Sequence, residues 1–193
     1  MFKAIYNREY FYNRSEELKN QHVRDINDLI NFFKINLNLK LHIHYGTLLG
    51  AVREHNFIAH DSDIDLAYIS NYHIKKEVKK EIIKIMKILE ENNMLIKNFN
   101  NKGQMHIRVP NGTLVVDVFT SWIENKACHL VPFGKICSEN IIYPFKKCLF
   151  RDLDNFDIPN QSKTLLNILY KNWNVPIKKD KNYLNLYSEN ILK

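Results

Sequence analysis

Hydrophobic residues recur at steps of three and four between Ser15 and Asn36, the spacing that places side chains on one face of an α-helix. A second stretch with this period, from Ile74 to Glu91, is rich in lysine. Both patterns predict amphipathic helices that bury one face and expose the other. We expect the first helix, residues 15–36, to pack on the domain that follows it.

Alternation of apolar and polar residues, the pattern of a half-buried strand, follows in two places. The first, "LHIHY", ends at Tyr45 and continues as "GTLLGAVR", which predicts a turn that opens a second helix. The second, "DIDLAYIS", places Asp63 and Asp65 on one face of a strand. The sequence therefore predicts two strands separated by a helix.

The second half of the chain is predicted to consist mainly of strands. Three segments have strand character, "MLIKNF", "QMHIRVP" and "TLVVDVFTSW", and Pro110–Gly112 predicts a hairpin turn between the last two. Weaker patterns predict strands at Cys128–Pro132 and Ile141–Tyr143 and a helix at Ser162–Asn172. The element order α-β-α-β-α-β-β-β predicts an α/β (α+β) fold, a small mixed β-sheet flanked by helices. At 193 residues the chain suits one such domain, over residues 1–193.

The charge of the chain restricts its partners. A formal net charge of +7 and a pI near 9.2 favour an anionic partner. Nucleic acid is not expected, because aromatic and basic residues do not interleave as they do in single-strand binders. No apolar run is long enough for a transmembrane segment and no signal peptide is visible, so we expect a cytoplasmic protein, with room for peripheral contact at the inner face of the membrane.

The chain has three cysteines, Cys128, Cys137 and Cys148. They are too few for a disulfide framework, and an odd number would leave one unpaired, which agrees with a reducing compartment. With His129 they could supply zinc ligands, although no two of them have the close spacing of a C-x-x-C pair. The sequence leaves open whether the cysteines bind zinc.

Three aspartates are placed as metal ligands would be. Side chains two apart on a strand share a face, so the carboxylates of Asp63 and Asp65 should lie within about 6 to 7 Å of each other. Asp117 lies in the apolar pattern "LVVDVF", where an unpaired buried carboxylate would be costly. If the two strands are neighbours the acids converge, and their oxygens suit Mg²⁺ or Mn²⁺ rather than zinc. The alternative interpretation is a chance D-x-D, with Asp117 capping a turn.

A predicted phosphate site precedes these acids. Gly46 and Thr47 stand between a strand and a helix, where free backbone N–H groups and the helix dipole attract an anion. Glycine allows close approach of a phosphate oxygen, Thr47 adds a hydroxyl, and Arg53 could add a guanidinium. Taken alone, a Gly-Thr pair is more often a turn with an N-cap. The D-x-D and Asp117 that follow it favour a functional site.

The longer string "YGTLLGAVREHNFIAHDSDIDL" resembles the motif of the LicD family, the phosphocholine transferases and their fukutin-type ribitol-phosphate relatives in the nucleotidyltransferase superfamily. The family string usually runs Y-G-T-L-L-G-x-x-R-x-x-G-F-I-P-W-D-D-D-I-D. Two later blocks, "VDVFTSW" and "FDIPNQSKTLLNILYKNWNVPI", are also similar to family motifs, so the resemblance spans residues 41–177. The chain has Asn56, Ala59, His60, Ser62 and Lys171 where the family usually has Gly, Pro, Trp, Asp and Gly.

The resemblance implies transfer of a phospho-group, such as phosphocholine or a polyol phosphate, from a CDP-linked donor to a sugar hydroxyl of a cell-surface glycan or glycolipid. It implies Mg²⁺ or Mn²⁺ on Asp63, Asp65 and Asp117, with Asp117 a candidate for the base. Asp61 would anchor Arg53 or reach the same metal. The donor phosphates would be bound by Gly46, Thr47 and Arg53, and the pocket would be lined by Tyr45, His60, His106 and Arg108.

Two other functions stay open at this level. One keeps the fold and transfers a nucleoside monophosphate to a small molecule, a protein or an RNA end. The other is a non-catalytic nucleotide-binding module that has kept the pocket for sensing or scaffolding. An active transferase is favoured over such a module because all three candidate metal ligands are present.

Overall fold

A computed structural model gives the fold of the chain and describes residues 9–98, 103–109 and 114–176. The predicted turn at Pro110–Gly112 lies outside these residues. The helices are α1 Glu16–Phe32, α2 Tyr45–Glu54, α3 Lys75–Glu91, α4 Glu139–Ile142 and α5 Ser162–Leu169. The strands are β1 Leu41–Ile43, β2 Ile64–Ile69, β3 Leu95–Asn98, β4 Gln104–Arg108, β5 Val115–Glu124, β6 Ala127–Leu130, β7 Gly134–Ser138, β8 Lys146–Phe150 and β9 Asp154–Ile158.

The helix predicted at residues 15–36 is present as α1 and a π-helical turn, Phe33–Leu37, that continues it. Ser15 caps the N-terminus, since its hydroxyl accepts a hydrogen bond from the Leu18 N–H at 3.1 Å. The π-helical turn ends at Asn38, whose φ of 53° lies in the left-handed region that Asn tolerates. The apolar face of α1 is buried in the main core, as its spacing predicted.

The central sheet is mixed. Its strand order is β1-β2-β5-β4-β3, and β6 and β7 extend it from the far half of β5. Strands β2 and β5 are parallel, and the other described pairs in this sheet are antiparallel. Because β2 and β5 are central, most of their residues are buried, which explains their nearly continuous apolar sequences. The predicted α/β (α+β) class with a small mixed sheet flanked by helices is confirmed.

Two predicted element assignments are wrong. Tyr45 does not belong to the first strand but begins α2, because the His44 imidazole accepts a hydrogen bond from the Tyr45 N–H at 2.9 Å and caps the helix there. Ile141–Tyr143 is not a strand, since this stretch falls mainly in the short helix α4. Short apolar runs fit both a strand and a buried helical turn, so periodicity could not separate them.

The elements around α2 determine where a pocket can form. Helix α2 packs on β2, on β8 of a separate β8–β9 hairpin, and on α5. The sequence did not predict β7, β8 or β9, whose residues alternate only weakly. Within the described ranges, no helix has the length and apolarity required to cross a bilayer.

Candidate functional site

Three aspartates meet where β2 and β5 begin. The parallel register places Asp65 directly opposite Asp117, and Asp63 immediately precedes β2. One carboxylate oxygen from each of the three lies within 4.8 Å of the others. The strands are neighbours, as the predicted convergence requires. This arrangement can bind a divalent cation, and metal binding itself stays a prediction.

The electrostatics of this acid cluster, Asp63, Asp65 and Asp117, call for a positive charge. Burial raises the pKa of Asp65 well above its ordinary value, and the charges of Asp63, Asp117 and Asp61 raise it further. The hydrogen bond from the Gly46 N–H acts in the opposite direction. A cation bound among these carboxylates would remove this repulsion, so the chemistry of the oxygen ligands fits Mg²⁺ or Mn²⁺.

Asp117 is held by two side chains of the neighbouring strand β4. His106 lies opposite it in the antiparallel register, and the His106 Nδ1 is paired with Oδ1 of Asp117. Gln104 Nε2 donates to Oδ2 of Asp117 at 3.2 Å. His106 was a predicted pocket residue, whereas Gln104 was missed. The sequence signal for Gln104 is its position two residues before His106, because residues two apart on a strand share a face and so point towards the same site.

The first turn of α2 is bonded to Asp65. The Gly46 N–H donates to Oδ2 of Asp65 at 2.9 Å, and the Asp65 N–H donates to Oγ1 of Thr47 at 2.8 Å. Gly46 and Thr47 therefore position Asp65 in this structure. Their predicted role in binding a donor phosphate stays a prediction.

A glycine is needed at position 46 because the acids lie close to it. A Cβ there would lie 2.7 Å from Oδ2 of Asp61 and 3.1 Å from Oδ2 of Asp65. Oδ1 of Asp61 accepts a hydrogen bond from the Ser62 N–H at 3.1 Å, which orients its carboxylate. Asp61 thus borders the same space as Asp65, and its assignment to the metal or to Arg53 stays a prediction.

An N-terminal segment, residues 11–14, fixes the loop that carries the acids. The Phe11 N–H donates to the Asp61 carbonyl at 2.8 Å, and the Arg14 guanidinium donates to the Ser62 carbonyl at 2.7 Å. The guanidinium carbon of Arg14 also lies 4.2 Å from the centre of the Phe11 ring. Burial lowers the pKa of Arg14, and the nearby charges of Glu9, Asp63 and Asp61 counteract this. Sequence reasoning missed this support.

A cavity of about 270 Å³ opens beside the acid cluster. Asp61, Asp63 and Asp65 line one part of it. Apolar and aromatic side chains line the rest, and they include Leu49, Ile58, Phe119, Pro132, Phe133, Tyr170, Trp173 and Val175. The cavity therefore combines negative charge with an apolar wall, as a ligand pocket does.

Several predicted site residues line this cavity, namely Tyr45, Gly46, Arg53 and His60. The Arg53 guanidinium donates to Glu54 and, at 3.0 Å, to the Trp173 carbonyl, which joins α2 to the segment after α5. Lys171, which stands where the LicD family motif usually has glycine, also lines the cavity. Among the described residues, the cavity lining does not include four other predicted site residues, Thr47, His106, Arg108 and Asp117. Arg108 is exposed on β4. The predicted pocket role of Arg108 stays untested.

The cysteines do not meet as a zinc site in the described part of the chain. Cys128 and Cys137 face each other across β6 and β7, whereas Cys148 lies on β8. Among the described residues, a cluster of three metal-ligating side chains occurs at the acid cluster and includes no cysteine.

No curated protein is similar to the chain at a significant level. Among solved structures, the STING-associated CdnE c-di-GMP synthase from Capnocytophaga granulosa resembles it with a TM-score of 0.45 and 14% sequence identity. That match covers 80% of this chain and 46% of the synthase, so this chain spans less than half of the synthase's length. The family model described as "LicD/FKTN/FKRP, nucleotidyltransferase domain" matches residues 38–161. This segment makes up most of the chain and includes the whole acid cluster. The chain therefore belongs to the LicD family.

Proposed function

We propose that the protein is a metal-dependent transferase that moves a phospho-group, phosphocholine or a polyol phosphate, from a CDP-linked donor to a sugar hydroxyl of a glycan or glycolipid. The observation that carries this proposal is the convergence of Asp63, Asp65 and Asp117, whose oxygens lie within 4.8 Å of one another beside a cavity. Membership of the LicD family supports the same class of reaction. The net charge of +7 suits an anionic donor.

The acid cluster would hold Mg²⁺ or Mn²⁺. The bound ion would neutralise charge on the donor's diphosphate and polarise its phosphorus–oxygen bonds. Asp65 is held in place, since the Gly46 N–H bonds its carboxylate and the Thr47 hydroxyl bonds its backbone N–H. A ligand held in this way loses little freedom on binding, which favours a defined site.

Asp117 is the candidate base. The residue is 7% exposed, and its carboxylate is oriented by His106 and Gln104. In the proposed reaction Asp117 accepts the proton of the sugar hydroxyl, and the bonds from His106 and Gln104 hold its carboxylate in a fixed orientation for this transfer. Most of the rate enhancement in phosphoryl transfer comes from positioning and charge neutralisation, so these fixed side chains match what the reaction needs.

The donor would lie in the cavity, with its phosphates towards the acid cluster. Arg53 is part of the lining, and its contacts with Glu54 and the Trp173 carbonyl hold the guanidinium in place. A guanidinium fixed in this way can bind a phosphate oxygen without a large loss of side-chain entropy. The apolar wall on the other side would contact the rest of the donor.

The test is a calorimetric titration of the protein with CDP, with and without Mg²⁺. The proposal expects binding to depend on Mg²⁺ and to weaken by about tenfold or more in Asp63→Ala and Asp117→Ala. Asp28→Ala is the matched control, because Asp28 is exposed on α1. Unchanged, metal-independent binding in both site variants would instead favour the non-catalytic module.

Nucleotidyl transfer is the second candidate, because the matching family model is described as a nucleotidyltransferase domain. Incubation with CDP-linked donors and with nucleoside triphosphates, each with Mg²⁺ and sugar acceptors, distinguishes the two reactions by mass analysis. Transfer of a phospho-group releases CMP, whereas nucleotidyl transfer releases pyrophosphate. Consumption of triphosphates alone would overturn the proposed reaction.

A further inference from the structure

Two cysteines occupy directly opposed positions in the β6–β7 hairpin. Cys128 on β6 is the register partner of Cys137 on β7. Opposed residues of an antiparallel pair project from the same face, with Cα atoms about 4.5 to 5.5 Å apart. A disulfide needs a Cα separation of about 4.4 to 6.8 Å, so the backbone at this position suits a cross-strand disulfide without a large rearrangement.

The two thiols already interact and are not equivalent. The thiol of Cys128 donates to the His129 carbonyl at 3.8 Å, and its interaction with the Cys137 thiol together with its burial raises the pKa of Cys128. Cys137 is 9% exposed and Cys128 is fully buried. Cys137 is therefore the thiol of the pair that a small oxidant reaches first, and Cys128 is placed opposite it to resolve the oxidised sulfur.

The third cysteine provides an internal comparison. Cys148 lies on β8, and its thiol donates weakly to the Ala51 carbonyl at 3.8 Å. Burial raises the pKa of Cys148, which lowers its thiolate fraction. Exposure alone would favour oxidation of Cys148, which is only partly buried, so Cys148 separates the effect of access from the effect of a paired thiol.

We propose that Cys128 and Cys137 form a redox-active dithiol that small hydroperoxides oxidise to a cross-strand disulfide. The Cys137 thiolate attacks a peroxide oxygen, the O–O bond breaks, and the leaving oxygen takes a proton, which leaves a sulfenic acid on Cys137. The Cys128 sulfur then attacks the Cys137 sulfur, and the thiol proton and the sulfenic hydroxyl leave as water. Two thiols lose two hydrogens, and hydrogen peroxide is reduced to two molecules of water.

The disulfide would close a ring around part of the cavity wall. The chain between the two cysteines contains Pro132 and Phe133, which line the cavity, and Val131, whose carbonyl accepts a hydrogen bond from the Tyr45 hydroxyl at 2.6 Å. Oxidation would therefore restrict the segment that forms this wall. The proposal concerns the thiols themselves and holds whatever reaction the cavity supports.

The experiment treats the full chain with hydrogen peroxide in native buffer and, in parallel, in urea. Remaining thiols are then alkylated, and the unfolded protein is digested with trypsin. Lys135 lies between the two cysteines, so cleavage after it places them on separate peptides that only a disulfide can join. We expect the joined peptides from native protein, with Cys148 alkylated, and faster formation in native buffer than in urea.

The variants assign the link. The Cys148→Ser variant should form the Cys128–Cys137 disulfide at the parental rate, and the Cys137→Ser variant should yield no joined peptides. The proposal is overturned if native protein keeps both Cys128 and Cys137 alkylated while Cys148 is oxidised, or if the link forms only in urea. The parent protein alone decides between these outcomes, so the result does not depend on whether Cys137→Ser folds.

Discussion

The backbone N–H of Gly46 donates to Oδ2 of Asp65 at 2.9 Å, so the first turn of α2 and the acid cluster are directly bonded. A Cβ at position 46 would lie 2.7 Å from Oδ2 of Asp61. Because this oxygen ends a side chain that can rotate, Gly46→Ala should fold and displace the carboxylates. We expect Mn²⁺ affinity, measured by titration with electron paramagnetic resonance, to fall about tenfold. Parental affinity would mean that the acid cluster does not bind the metal.

Gly50→Ala should act on stability. A Cβ at position 50 would lie 2.4 Å from the backbone carbonyl oxygen of Asn56, which cannot move without the chain that follows α2. We expect the free energy of unfolding in urea to fall by about 1 to 3 kcal/mol, the usual cost of a forced backbone shift. An unchanged free energy would show that the α2 terminus tolerates this displacement. Gly46→Ala, measured in the same way, serves as the comparison.

Asp65→Asn should stabilise the protein when metal is withheld. The substitution removes a carboxyl group whose ionisation is disfavoured by burial and by the charges of Asp63 and Asp117, and the amide oxygen can still accept from the Gly46 N–H. We expect a higher thermal midpoint than that of the parent in EDTA, and a smaller rise on addition of Mg²⁺. Asp28→Asn on the surface of α1 is the control. A lower midpoint in EDTA would show that the cluster is not repulsive.

The local part of this site could be predicted from the sequence. The alternating pattern around Asp63 and Asp65 and the apolar run around Asp117 both predict strands, and central strands of one sheet bring such positions together. The convergence of the three acids follows from these patterns once β2 and β5 are neighbours.

The remaining support for the site could not be predicted, because it depends on long-range packing. The bond between Arg14 and the Ser62 carbonyl joins positions 48 residues apart, and no periodicity connects them. The start of α2 at Tyr45 was missed because its cap is a histidine side chain, His44, which is not among the usual N-cap residues.

Arg14→Met tests the contribution of the N-terminal segment. The guanidinium donates to the Glu9 and Ser62 carbonyls at 2.6 and 2.7 Å, and methionine keeps only the apolar stem. We expect a loss of about 1 to 2 kcal/mol in the free energy of unfolding, together with weaker Mn²⁺ binding, because the acid loop loses its support.

The control for Arg14→Met is Arg24→Met, since Arg24 is exposed on α1 and donates to Gln21 on the same helix. Its unfolding free energy should stay within about 0.5 kcal/mol of the parent's. If both variants lose the same stability and both retain parental Mn²⁺ affinity, the N-terminal segment does not position the acids.

The buried histidines should make the protein sensitive to acid. Burial lowers the pKa of His22 to about 4 and that of His44 to about 3, and it lowers that of His42 well below 6.5. Below pH 6.5 the unfolded chain takes up protons at these residues while the folded protein does not. Each histidine therefore contributes stability that is present above pH 6.5 and decreases as the pH falls to its folded pKa.

His22→Leu isolates one of these contributions. His22 is 3% exposed, lies edge-on to Phe11 and has its Nδ1 3.7 Å from Oδ2 of Asp25, so leucine fills the space and removes the imidazole from this pair. The variant's unfolding free energy relative to the parent's should rise as the pH falls from 6.5 to about 4, by at most about 1.4 kcal/mol per pH unit. Asp65, whose raised pKa acts in the opposite direction, is common to both proteins and cancels in this difference. A difference between His22→Leu and the parent that does not change between pH 6.5 and about 4 would contradict the prediction.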